Sequence, residues 1–74
     1  MKGNSAPGAS ALTTAELRLL PLLSTHMSLP EIAQAMFLSR NTIRSQAYSM
    51  YRKLDVSSRS QAVTQARRLG LLDL

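Results

Sequence analysis

The sequence predicts an all-α fold of four short helices organised around a helix-turn-helix. Three observations carry that expectation. Capping-box spacing recurs at Thr13-Thr14-Ala15-Glu16, Ser28-Leu29-Pro30-Glu31 and Ser58-Arg59-Ser60-Gln61. In such a box the first side chain accepts from the fourth residue's backbone N–H, and the fourth side chain reaches back to the first. Ile43, Ala47, Met50 and Leu54 step by four, three and four, so at ~100° per residue they share one narrow sector and form a core stripe. Only Phe37-Leu38-Ser39 interrupts the helical pattern before that stripe, a separation found in helix-turn-helix units. The expected helices are 14–24, 29–36, 40–54 and 59–69.

Residues 1–11, MKGNSAPGASA, hold Gly, Ser, Pro, Asn and Ala without apolar periodicity, and read as a disordered linker or a cloning remnant. Residues 12–74 are the expected domain. Thr13 caps the first helix, and Leu17, Leu19, Leu20, Leu22 and Leu23 make it apolar enough to be buried on more than one side. Pro21 removes the bond to the Leu17 carbonyl at a cost of about 3 kcal/mol, so a kink is expected there within one helix. His26, with no partner nearby in sequence, reads as a loop histidine. Met27 and Phe37 read as core residues.

Ser28 and Glu31 open the second helix, with Pro30 in the first turn where a missing N–H costs little. Ile32, Ala33, Ala35 and Met36 supply its apolar surface. Ser39 then caps the third helix. Opposite the Ile43 stripe lie Asn41, Arg44, Ser45, Tyr48 and Arg52, a face with cations, hydrogen-bonding side chains and no acid. Arg bridges two acceptors on a guanine edge or clasps a phosphate, and Asn pairs with adenine. A plain solvated helix face is the alternative for any one such helix. The tight turn and the capped helix before it favour DNA. The last helix runs through Ala62, Val63, Ala66 and Leu69, with Arg67 and Arg68 at the negative end of its dipole and Gly70 as its left-handed stop. Leu71, Leu72 and Leu74 can fold back as a hydrophobic tail.

Composition narrows the function classes. The chain has 74 residues, nine Lys and Arg against four acids, a net charge of +5 and no cysteine. A domain of this size buries only about 60% of its unfolded surface, and no disulfide framework or cysteine metal site helps it. No run is long and apolar enough for a membrane span, and no signal peptide is evident, so the expected place is the cytoplasm. Between Arg40 and Arg68 the charged residues are Arg40, Arg44, Arg52, Lys53, Arg59, Arg67, Arg68 and the lone acid Asp55. That imbalance fits a polyanion binder. With one His, no Cys, scattered acids and no Gly-rich phosphate loop, the chain offers no nucleophile–base pair. No enzymatic activity, catalytic residue, metal or cofactor is expected. A basic helical protein-interaction adaptor remains the alternative function.

Leu12 to Leu72 resembles the LuxR-type (GerE/FixJ/NarL) helix-turn-helix DNA-binding domain, most closely that of actinobacterial LuxR-family transcriptional regulators. LTTAE is similar to the family start L-T-x-R-E. SLPEIAQAMFLSRNTIRSQ is similar to S-x-x-E-I-A-x-x-L-x-[IV]-S-x-x-T-[VI]-[KR]-x-H. YRKLDVSSRSQAV is similar to the ending x-x-K-L-x-V-x-x-R-x-x-A-[VI]. Ala15 departs from the usual Arg and its salt bridge, His26 and Asp55 stand at common Gly positions, and Gln46 stands where His is frequent. Asp tolerates the left-handed conformation that Gly would take.

The resemblance implies a four-helix LuxR/GerE-type domain of a bacterial transcription regulator. Its recognition helix, 40–54, enters the major groove of double-stranded DNA at the nucleoid. It further implies a homodimer through the last helix on a near-palindromic site, with RNA polymerase as a possible further partner. Thr42 and Arg44 match family DNA contacts, Ser45 and Tyr48 match positions that read bases, and Lys53 matches a lysine near the backbone. Together with the face read above, the candidate DNA-binding set is Ser39, Arg40, Asn41, Thr42, Arg44, Ser45, Tyr48, Arg52 and Lys53. Val63 and Arg67 are the candidate dimer residues, implied to be exposed on the last helix.

Overall fold

The computed structural model describes residues 12–72, which form four helices: α1 Thr14–Leu23, α2 Leu29–Ala35, α3 Arg40–Lys53 and α4 Arg59–Arg68. No strand occurs among the described residues. Each helix starts where the sequence places it and ends one residue earlier. The displaced residues, Ser24, Met36, Leu54 and Leu69, are the C-caps, with ψ of 0°, 0°, −2° and 0°. The expected linker at 1–11 and the place of Leu74 lie outside the described residues.

The starts follow from side-chain capping. Thr13 Oγ1 accepts from the Glu16 N–H at 3.1 Å, and Glu16 Oε1 accepts from the Thr13 N–H at 2.9 Å. Ser28 and Glu31 form the same reciprocal pair at 3.2 and 2.8 Å. The third box is only half made. Ser58 Oγ accepts from the Gln61 N–H at 3.2 Å, but Gln61 Oε1 takes the Ser57 N–H at 2.9 Å instead of that of Ser58. Ser58 enters its helix at φ −146°, against −77° at Thr13 and −72° at Ser28, which turns its N–H to a different side.

Three helices stop in the same way. Leu38 donates to the Ala33 carbonyl and Phe37 to that of Gln34. Val56 donates to Tyr51 and Asp55 to Arg52, and Leu71 to Ala66 and Gly70 to Arg67. These pairs are Schellman closures, and the residue at the turn of each is left-handed: φ is 58° at Phe37, 59° at Asp55 and 77° at Gly70. The left-handed stop expected at Gly70 is therefore present, and Asp55 adopts a left-handed torsion at the end of α3 as well.

The core is built around α3, which packs on α1, α2 and α4. Its stripe Ile43, Ala47, Met50 and Leu54 is fully buried against Leu19, Leu20 and Leu23 of α1, Ile32 and Ala33 of α2, and Ala62, Val63 and Ala66 of α4. Met27, Leu71 and Leu72 pack on the cluster as expected. α1 passes through Pro21 without breaking.

Two expectations fail. α1 buries a single stripe, Glu16, Leu19, Leu20 and Leu23, while Leu17 is 41% exposed, because its position falls outside the i, i+3, i+4, i+7 sector. Phe37 is 94% exposed rather than a core residue. The left-handed turn that ends α2 carries its ring away from the cluster, and Met36 packs there instead.

Candidate nucleic-acid interface

Burial of one face of α3 decides which residues its other face presents. With Ile43, Ala47, Met50 and Leu54 inward, Asn41, Arg44, Ser45, Tyr48 and Arg52 are all exposed. Ser39, Arg40 and Thr42 are exposed at the start of the helix. There Ser39 Oγ accepts from the Thr42 N–H at 3.1 Å and donates to Thr42 Oγ1 at 2.8 Å. No acid lies in the first turn, so the positive end of the α3 dipole is uncompensated beside two hydroxyls and Arg40.

The cations of this face are unengaged within the domain. The guanidinium groups of Arg40, Arg44 and Arg52 make no hydrogen bond or ion pair among the described residues. Lys53 stands apart from the expected set. Its Nζ lies 2.8 Å from Glu16 Oε1, and its side chain is 29% exposed against 4% for Glu16. This is the one ion pair among the described residues, and it ties the start of α1 to the end of α3. Burial pushes the Glu16 carboxyl up. The Lys53 ammonium, the Thr13 N–H and the Ser49 hydroxyl outweigh it and leave the group below the ordinary glutamate range.

Val63 also departs from its expected place. It is 9% exposed, because it follows Ala62 and precedes Ala66 on the core side of α4. Arg67 is exposed, one turn on. Both line an open groove between the end of α1 and the start of α4, with Leu23, Ser24, Thr25 and Ser58 among its walls.

Sequence reasoning missed two residues beside the site. Arg59, counted there as free positive charge, donates from Nε to the Leu23 carbonyl at 3.0 Å and from Nη2 to that of Thr25 at 3.0 Å. It caps the end of α1 from 34 to 37 positions away, and no local pattern signals such a bond. Tyr51 is half-buried against the core, and its ring centroid lies 5.9 Å from that of Tyr48, with the planes tilted by 55°. Burial raises the Tyr51 hydroxyl above its ordinary range, the Arg59 charge opposes this, and Tyr48 adds slightly to it. The i, i+3 spacing of the two tyrosines was legible; the burial of only one was not. His26 is exposed, and no cluster of metal-ligating side chains occurs among the described residues.

Comparison with known proteins agrees with this fold. Residues 10–66 match the model of the bacterial regulatory proteins of the luxR family. The spore germination protein GerE of Bacillus subtilis is 35% identical over 74 residues, covering all of both chains. The probable transcriptional regulatory protein NarL of Mycobacterium tuberculosis is 33% identical over 73 residues, 99% of this chain and 34% of that protein. The chain thus spans about a third of the NarL relatives and the full length of GerE. Among solved structures, the response regulator ChrA of a heme-sensing two-component system superposes with a TM-score of 0.81 at 31% identity, over 88% of this chain and 32% of that one. The transcription factor GerE superposes with a TM-score of 0.77 at 35% identity, over 84% of this chain and 92% of that one.

Proposed function

This chain belongs to the luxR family of bacterial regulatory proteins, and from that membership we propose that it binds double-stranded DNA sequence-specifically, with α3 in the major groove. The DNA-binding domain of a transcription regulator is the general statement, and the helix-turn-helix formed by α2 and α3 is its means. The observation that carries the finer reading is the exposed, acid-free face of α3, whose arginines have no partner within the domain.

In this reading the parts divide by chemistry. Ser39, Arg40 and Thr42 meet phosphate at the helix start, where hydroxyls, a guanidinium and the dipole all favour an anion. Arg44, Asn41, Ser45 and Tyr48 meet base edges, and Arg52 meets the backbone farther along. Backbone contacts position the protein and base contacts specify the site. Lys53, already held by Glu16, fixes the angle between α1 and α3 and only adds field at the DNA surface. The protein acts as a homodimer through α4 on a near-palindromic site, with Arg67 at the surface of that helix and Val63 beneath it. RNA polymerase is a further partner, the cytoplasmic nucleoid is the place of action, and the DNA-binding domain is residues 12–74, with 1–11 a linker or a cloning remnant. No catalytic role is assigned, in keeping with relatives named as transcription regulators.

Selection of bound sites from a random duplex library tests this. Enrichment of a symmetric motif supports groove reading by a dimer. Enrichment of a single asymmetric element removes the dimer and keeps the groove reading. Retention of all duplexes alike overturns sequence-specific recognition.

A further inference from the structure

Tyr48 is the most exposed aromatic side chain on α3, at 53%, and an exposed tyrosine samples several rotamers. A base-reading side chain loses affinity for its site by the entropy of ordering itself on contact. The neighbouring geometry bears on that loss. Tyr51 stands three residues on, where helix side chains meet, and the two rings are 5.9 Å apart and tilted by 55°. The separation lies within the range of attractive aromatic pairs, and the tilt lies between the offset-stacked and edge-to-face arrangements. The two rings differ in footing. Tyr51 is half-buried and packed on the hydrophobic cluster, whereas Tyr48 stands outside it.

We propose that Tyr51 is a positioning residue for DNA reading: anchored in the core, its ring holds the Tyr48 ring in the orientation that meets the major groove. The inference rests on the reading of Tyr48 as a base contact and deepens it. Tyr51 itself touches no base. It extends the specificity apparatus from the exposed face of α3 to the flank of that helix. The hydroxyl of Tyr51 is not required, since ring against ring supplies the hold.

The test uses the full chain, the tightest duplex selected by this protein from a random library, and a scrambled duplex of the same base composition at the same salt. Tyr51→Leu should lower the ratio of selected to scrambled affinity by roughly three- to tenfold while leaving the scrambled affinity alone. Tyr51→Phe should restore the ratio. In a Tyr48→Ala background, Tyr51→Leu should change the ratio no further, because nothing is left to position. A packing role alone would instead lower the melting temperature and both affinities together. Ring-to-ring cross-relaxation between Tyr48 and Tyr51 and a single Tyr48 χ1 population in the free wild-type protein, read by NMR, provide a test independent of how the variants fold. An unchanged ratio in folded Tyr51→Leu, an equal loss in the Tyr48→Ala background, or a freely averaging Tyr48 ring overturns the inference. If Tyr48→Ala flattens the preference and Tyr51→Leu does not, only the positioning role falls. If Tyr48→Ala leaves the preference intact, base reading by Tyr48 falls and the positioning role with it.

Discussion

Phe37 holds a torsion that glycine would hold without strain. Its φ is 58° and its ring is 94% exposed, so it bears the left-handed penalty without compensating burial. That penalty is about 1–2 kcal/mol, partly offset by the greater freedom glycine has in the unfolded chain. Phe37→Gly should therefore stabilise the domain by about 1 kcal/mol, seen as a rise of several degrees in thermal melting. No change or a fall would mean that the exposed ring makes a contact on which the fold depends. Arg44 invites the opposite experiment. It is exposed and unpaired, so Arg44→Ala should leave melting nearly unchanged, weaken DNA binding, and cost about 1–3 kcal/mol of discrimination if it reads a guanine. Equal binding by the variant would remove Arg44 from the interface. For Tyr48→Ala the sequence preference should flatten. A lower melting temperature with the same preference would instead make Tyr48 a packing residue.

Between elements, two polar ties add to the apolar contact. Arg59 of α4 holds the open end of α1 through the Leu23 and Thr25 carbonyls, and the planar guanidinium presents those donors in a fixed fork that an ammonium lacks. Arg59→Met and Arg59→Lys should both destabilise the fold, by about 0.5–1.5 kcal/mol for the hydrogen bonds lost. The salt slope of DNA binding should be unaltered. A variant with normal melting and a shallower slope would make Arg59 a phosphate contact instead. Glu16 and Lys53 tie α1 to α3. The folded state holds the Glu16 carboxyl below its unfolded range, so its contribution is present above the unfolded pKa and disappears as pH falls through the folded one. Glu16→Gln should destabilise the domain at neutral pH and flatten the acid limb of its stability curve. An unchanged acid limb would place the loss elsewhere, and Glu31, also lowered by its bonds to Ser28, is the next group to test.

At the scale of the whole molecule the net charge of +5 and the free arginines of α3 govern association. Each neutralised phosphate releases counterion, so log affinity should fall linearly with log salt, with a slope of about −0.9 for each phosphate met. A flat dependence would count against backbone anchoring. Dimerisation belongs to the same scale. Val63 is nearly covered within one chain, so little apolar surface is left on that side of α4, and association should be weak in solution and tighter on a palindromic duplex. Ultracentrifugation of the protein alone and with such a duplex measures both. Monomers in both samples would overturn the dimer.

What the sequence determined by itself is local or periodic. Cap side chains act over three residues, so Thr13, Ser28, Ser39 and Ser58 mark all four helix starts. Helical periodicity acts over one or two turns, so residue spacing alone separates the Ile43 stripe from the exposed Arg44 face. The tertiary fold decided whatever depends on partners distant in the chain. Lys53 meets Glu16 across 37 positions, and Arg59 meets Thr25 across 34, so two cations of the basic half also tie helices together. The same holds for Val63, covered where α4 meets the rest of the core, and for Phe37, turned outward by a left-handed stop at a residue whose type gives no sign of it. Charge and apolarity are properties of a residue, but whether a charge is free or an apolar ring is covered depends on which surfaces the packed helices bring together.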